Sequence, residues 1–172
     1  MADIIAETDR LILRTIEEGD AAEQDRVLNT PTVMARLGGV KELREIEAKH
    51  AKSRALYAQH GFSFLFMIEK ASGEMVGHCG IKQVDNPLAQ NQGDHEIGWL
   101  VREDRWRRGY AEEAMRAVLD WAFTRIAAPH VAAPLHARGE RSRERSHHGG
   151  AQQAVCGGQR SSRRRGLLCH CH

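Results

Sequence analysis

At Pro134 the chain changes its material, and that break limits what can fold. From Pro134 to His172 it reads PLHARGERSRERSHHGGAQQAVCGGQRSSRRRGLLCHCH. This stretch has no Lys, Asp, Asn, Thr, Ile, Met or aromatic residue, and neither strand nor helix periodicity. Such a composition buries too little apolar surface to offset the entropy of ordering it. Eight arginines against two acids give the stretch a charge of about +6, and the formal net charge of +2 then leaves about −4 for the rest. The expected organisation is one domain over 1–133 and an atypical Arg/Gly/Ser/His-rich tail, without stable structure, over 134–172. A domain of ~100–150 residues can bury a core of its own.

The four cysteines, Cys79, Cys156, Cys169 and Cys171, are too unevenly spread for a disulfide framework. No apolar run is long enough to span a bilayer, and the first residues, MADIIAETDR, start acidic with no apolar leader core. No membrane partner and a cytoplasmic location are expected.

Period and punctuation divide 1–133 into elements. RLILRT (10–15) alternates as a strand. Asp20 is placed to cap a helix that ends near Asn29. TPTVMARLGG predicts a short helix with Thr30 as cap, Pro31 in first position and glycines at the stop. A long helix follows, with Leu43, Ile46 and Leu56 on its apolar face and Gly61 at its end. FSFLFMIE and MVGHCGIKQV, joined by KASGE, predict a hairpin. NPLAQNQGD reads as a loop and HEIGWLV (95–101) as a strand. YAEEAMRAVLDWAFTRI puts Ala114, Val118, Trp121 and Ala122 on one helical face, and HVAA begins another strand. The fold class is mixed α/β (α+β): a mostly antiparallel central sheet flanked by helices, with a parallel crossover into HVAA.

The stretch RWRRGYAEEA (105–114) joins the HEIGWLV strand to the following helix. There several backbone N–H groups lack partners and point one way, and the helix dipole favours an anion. Gly109 lets a ligand approach the backbone, and Arg107 and Arg108 offer charge to phosphate oxygens. The segment can therefore cradle a pyrophosphate. It can equally be an ordinary helix start with two solvated arginines. Neither a Walker loop nor a dinucleotide glycine triplet is present.

Three segments carry a resemblance. ETDRLILRTIEEGDAAE, GEMVGHCGIKQVDN and HEIGWLVREDRWRRGYAEEAMRAVLDWAF are similar, in order, to the GCN5-related N-acetyltransferase (GNAT) family, in particular the branch with the ribosomal-protein N-terminal acetyltransferases. The family loop Gln/Arg-x-x-Gly-x-Gly/Ala is met by WRRGYA at Gly109 and Ala111, while Trp106 departs at the first position, a variation that goes with this branch. The resemblance implies an acyl-CoA N-acyltransferase-like fold whose C-terminal part is incomplete here. It implies acetyl-CoA as cosubstrate, with its pyrophosphate on the amides of Arg107, Arg108, Gly109, Tyr110 and Ala111. The pantetheine arm would run along the strand at Leu100 and Val101. Acetyl would pass directly from the thioester to a primary amine, with no covalent enzyme intermediate and no metal.

That chemistry needs a base for the amine and donors for the oxyanion. Glu96 is the candidate general base; a local strand carboxylate is its plain alternative. His78 is a weaker candidate, and the Leu100 N–H is a candidate oxyanion donor. Glu112 and Glu113 read as favourable first-turn charges. Cys79 has no evident basic partner and is not read as a nucleophile.

After Ala133 the resemblance lapses, where the family leads one to expect an Asn-containing turn, a helix and closing strands. One reading is a shifted reading frame: ERSHHGG can be encoded so that the next frame reads Ser/Asn-x-x-Ile-Met-Glu. A second is phosphate contact with nucleic acid through the arginines, with solvated disorder weighed above it. A third is zinc on CHCH and Cys156, although His147 and His148 do not converge on one metal. The functional alternatives to an N-acetyltransferase are then a non-catalytic or truncated acyl-CoA-binding remnant and a tail-driven nucleic-acid binder. An exposed HVAA edge would favour a homodimer. The amine acceptor stays open between a protein N-terminus and a small molecule.

Overall fold

The computed structural model describes residues 1–84, 93–125, 130–133 and 154–157. Its strands are β1 (Ile4–Glu7), β2 (Leu11–Arg14), β3 (Phe64–Glu69), β4 (Met75–Gln83), β5 (His95–Val101), β6 (His130–Ala133) and β7 (Ala154–Gly157). The helices are α1 (Asp20–Leu28), α2 (Pro31–Met34), α3 (Leu43–His60) and α4 (Tyr110–Arg125). The strands form one sheet in chain order. Strands β1 to β5 are antiparallel, β6 joins β5 in parallel, and β7 closes antiparallel on β6. The mixed, mostly antiparallel sheet with flanking helices is thus as the periodicities predict.

Period two gives the sheet two unlike faces. Leu11, Leu13, Leu65, Met67, Cys79, Ile81, Ile97 and Val101 form one cluster with Tyr110, Ala114, Val118 and Ala122 of α4. Each large aliphatic side chain buried there contributes roughly 1.5–3 kcal/mol. On the other face Phe66 and Met75 meet Ile16, Val27 and Leu28, and Leu100 packs against them. The apolar face assigned to the fourth helix is therefore the buried one.

Four local features go beyond the sequence reading or against it. The chain has a strand, β1, that the sequence reading does not assign; it pairs with β2 through Ile4↔Arg14 and Glu7↔Ile12. Asp20 does not cap α1. Gly19 holds the cap position at φ 95°, and the Asp20 carboxylate accepts the Glu17 N–H at 2.7 Å and both Arg14 guanidinium nitrogens at 2.8 Å. An ion pair with β2 outbids the short-range cap because it also anchors α1 to the sheet. Leu43 is 41% exposed, whereas Ile46 and His50 are buried. The contact stripe of α3 is narrow, and His50 Nε2 lies 2.7 Å from Gln24 Oε1 of α1. Finally, within the tail Ala154–Gly157 pairs with β6 through Val131↔Cys156 and Ala132↔Val155. The unpaired N–H and C=O groups of the β6 edge are a template that takes a strand of weak propensity. The rest of the tail, and most of NPLAQNQGD, lie outside the described residues.

The caps at α2 and α3 are as read. Thr30 Oγ1 accepts the Val33 N–H at 3.2 Å with Pro31 in the first turn, and Gly61 ends α3 at φ 75°.

Candidate functional site

β5 ends at Val101, one 3-10 turn covers Glu103–Arg105, and α4 begins at Tyr110. Between them the chain turns twice through the left-handed region, at Arg107 (φ 60°) and at Gly109 (φ 80°). Such alternation gathers successive N–H groups on one side. The first four N–H groups of a helix have no partner inside it; here the first helical bond runs from Glu113 N–H to the Gly109 carbonyl at 3.0 Å. A cavity of about 450 Å³ opens at this junction. Leu100, Val101, Arg107, Gly109, Tyr110 and Ala111 line it, with Trp99, Trp106 and Glu112. Arg108 is not among its lining residues; its carbonyl accepts Arg10 Nη1 at 2.9 Å.

Two remote turns hold the junction. From the β1–β2 turn, Thr8 Oγ1 (2.5 Å), Arg10 N–H (3.0 Å) and Arg10 Nε (2.7 Å) all donate to the Glu113 carboxylate. Burial pushes the Glu113 carboxyl up, and these donors together hold it below its ordinary value. Glu113 is thus a bridge to another strand as well as a first-turn charge. From the end of β3, Glu69 accepts the Tyr110 hydroxyl, Ser72 Oγ at 2.7 Å and Arg105 Nη2 at 3.2 Å. The Tyr110 hydroxyl first, then Ser72 and Arg105, bring the Glu69 carboxyl down to about 2. The Trp106 indole N–H donates to the Val101 carbonyl at 2.7 Å. Arg10 and Glu69 carry no local signal of these roles, because their partners are set by the sheet order.

The register decides which backbone groups of β5 are free. Arg102 N–H reaches Val76 O, and Val84 N–H reaches Asp94 O, both at 2.9 Å, at the two ends of an unbroken β4–β5 register. Hydrogen-bonded pairs alternate in an antiparallel ladder. Glu96, Gly98 and Leu100 therefore bond to β4, while Ile97, Trp99 and Val101 turn their N–H and C=O groups to the opposite edge. On that edge β6 meets β5 at the pair Glu96↔Ala132. The Leu100 N–H is consequently committed to β4 and is not the oxyanion donor, which corrects the sequence expectation.

The candidate acid–base groups lie elsewhere. Glu96 sits five residues before Val101, about 17 Å along the strand. Its carboxylate is 22% exposed and 3.7 Å from Lys82 Nζ. By register it shares a face with His78, away from α4. His78 lies edge-on to Phe64 and Phe66, with ring centroids 5.3 and 6.4 Å away. Burial brings its imidazole down to about 4, and its Nδ1 is buried without a partner among the described residues. Cys79 is buried, and burial pushes its thiol up to about 12, so no thiolate is available for attack. Among the described residues no helix is long and apolar enough to cross a membrane, and no group of three His, Cys, Asp or Glu side chains could hold a metal ion.

Comparison with known proteins gives this junction a context. The acetyltransferase (GNAT) domain model matches residues 10–152, past the break at Pro134. The uncharacterized protein YkkB of Bacillus subtilis is 34% identical over 119 residues, 67% of this chain and 66% of YkkB, so the match spans just under two thirds of that relative. Among solved structures, an acetyltransferase from Agrobacterium tumefaciens is 29% identical with a TM-score of 0.63, over 74% of this chain and 71% of that one. RimL, a ribosomal L7/L12 alpha-N-protein acetyltransferase in complex with coenzyme A, shares the fold at 16% identity and a TM-score of 0.60, over 76% of this chain and 73% of its own. On the family match and the fold together, this chain belongs to the GNAT acetyltransferase family.

Proposed function

We propose that the chain is an acetyl-CoA-dependent N-acetyltransferase that moves acetyl directly from the thioester to a primary amine. The observation that carries this is the junction itself: a left-handed double turn, a helix N-terminus and a cavity, all beside the β5 edge, which among the described residues β6 meets only near Glu96. The amides of Arg107 to Ala111 suit a pyrophosphate by geometry and by dipole. Arg107 lines the cavity and adds charge beside them. The pantetheine amides suit the Trp99 carbonyl and the Val101 N–H, as an added strand would; the Val101 carbonyl is already taken by Trp106.

In the transfer, the amine nitrogen attacks the thioester carbonyl as it loses its proton. A tetrahedral oxyanion forms, then collapses with loss of the thiolate, which takes up a proton. An oxyanion donor on β5 would come from the Trp99 N–H, which points to the open edge and lies nearer Glu96 than Val101 does. Glu96 is the proposed base, acting through water, once its Lys82 contact is exchanged for the ammonium of the acceptor. The acceptor is an amine, either a protein N-terminus or a small molecule.

Calorimetric titration with acetyl-CoA tests the reading, with circular dichroism as the folding control. Saturable binding is expected, and Gly109→Val should weaken it roughly 100-fold with the fold retained, because a β-branched residue is strained at φ 80°. Binding without turnover on any amine would mark the chain as a non-catalytic acyl-CoA-binding remnant. A folded chain that does not bind sinks the coenzyme assignment.

A further inference from the structure

Arg10 stands next to the junction but belongs to a distant part of the sequence. Its main chain is held on both sides: its N–H donates to Glu113 Oε1 at 3.0 Å, and its carbonyl accepts the Lys70 N–H at 2.8 Å. Its side chain is placed just as firmly. Nε and Nη2 meet Glu113 Oε2 at 2.7 and 2.6 Å, and the guanidinium lies 4.3 Å over the Tyr110 ring. The remaining nitrogen, Nη1, donates to the Arg108 carbonyl at 2.9 Å.

That last bond sets the orientation of a peptide plane. In a trans peptide the C=O and the following N–H point in opposite directions. Arg10 is not among the residues that line the cavity, whereas Gly109 is. A carbonyl pinned toward Arg10 therefore leaves the Gly109 N–H pointing away from Arg10, and Gly109 itself lines the cavity. The Arg10 charge is matched by Glu113, so what it adds at the cradle is geometry more than field.

We propose that Arg10 is a positioning residue for the coenzyme pyrophosphate: it locks the Arg108–Gly109 peptide so that the Gly109 N–H faces the cavity before the ligand arrives. This inference rests on the coenzyme reading above. It deepens that reading by adding a residue from the β1–β2 turn. The lock prevents the peptide from flipping, and a flip would present a carbonyl to the anion.

The test compares wild type, Arg10→Met and Arg10→Lys by calorimetric titration with coenzyme A, and follows the Gly109 amide cross-peak in ¹⁵N-labelled protein. In wild type the Gly109 amide proton should move downfield on binding. Arg10→Met keeps the stem over Tyr110 but donates nothing; it should bind about tenfold more weakly, the order expected for one lost charge-assisted hydrogen bond, and lose the Gly109 shift. Arg10→Lys keeps the charge without the fork and should weaken binding as well. The Arg10→Lys arm carries the test alone if Arg10→Met does not fold. Folded variants that bind within twofold of wild type with the Gly109 shift intact overturn the inference and leave the coenzyme reading standing. A wild-type chain that binds no coenzyme A sinks that reading and this inference with it.

Discussion

Under α4 the sheet buries Leu11, Leu65, Met67 and Ile97 against Ala114, Val118 and Ala122; on the opposite face Phe66 and Leu28 lie near His50, His78 and the Arg14–Asp20 pair. The body of the first face is held by apolar contact, which is non-directional and indifferent to pH, with polar bridges only at the start of α4. The second depends on partners and protonation states. His50 reaches α1 through Gln24, and Arg14 of β2 reaches α1 through Asp20. The difference suits the positions of the two faces. The α4 face must hold one helix N-terminus in place beside β5, and a packed apolar layer does that together with the Glu69 and Glu113 bridges. The other face carries α1 and α3, and polar pairs tie α1 to β2 and α3 to α1.

The largest effect that separates the faces is a charge placed under α4. Val118→Asp puts an unpaired carboxylate at a site 1% exposed and should cost roughly 4 kcal/mol or more, enough to leave little folded protein. Thermal melting followed by circular dichroism reads this directly. A cooperative melt within a few degrees of wild type would show that the α4 layer is not the main core.

Acid should act first on the opposite face; at the start of α4 the lowered Glu69 and Glu113 carboxyls lose their contribution further into the acid range. Burial is the main cause that lowers the imidazoles of His50 and His78, the second to about 4 against an ordinary 6.5. Above pH 6.5 folded and unfolded chains both carry His78 neutral, and its titration contributes nothing to the balance. Between 6.5 and about 4 the unfolded chain takes a proton that the folded chain refuses, so stability falls; below about 4 the loss is complete. Asp20 acts in the same direction. Burial pushes it up, but the Arg14 hydrogen bonds and the Glu17 N–H prevail and lower it, so its contribution is lost as pH falls through the acid range. Urea midpoints should therefore fall from pH 7 to pH 4. His78→Phe, which keeps a ring between Phe64 and Phe66, should flatten the upper part of that fall. An unchanged slope in the variant would show that His78 is not the group responsible.

The smallest effect is the coupling of Arg14 to Asp20. A double-mutant cycle with Arg14→Met and Asp20→Asn should return roughly 1 kcal/mol, because the pair is bidentate and mostly covered. The same cycle on the exposed Arg116–Glu112 pair of α4 should return less than that. Equal values would remove the contrast in how the two faces are held.

Much of this molecule could be read without coordinates. The strands at Leu11–Arg14, Phe64–Glu69 and His95–Val101, the caps at Thr30 and Gly61, and the buried side of α4 follow from periods of two and 3.6 and from turn chemistry. These are short-range rules, and each works within about one helical turn or one strand. The junction at Arg107 to Ala111 was legible for the same reason, since a strand, a glycine and a helix start are contiguous.

Other features depend on residues that only folding brings together. Glu113 meets Thr8 and Arg10 across more than a hundred residues, and Glu69 meets Tyr110 across forty-one. No local pattern encodes such a meeting, because it depends on β2, β3 and β4 lying in that order beside β5. The parity of the β4–β5 ladder likewise turns the Leu100 N–H away from the open edge and leaves Trp99 and Val101 facing it. A one-residue slip would reverse that assignment without altering a letter of the sequence. Residue types and local periods determined which elements form and where an anion can be cradled; the tertiary structure alone decided which side chains brace the cradle and which backbone groups face the ligand, because pairing register and strand order are properties of the whole sheet.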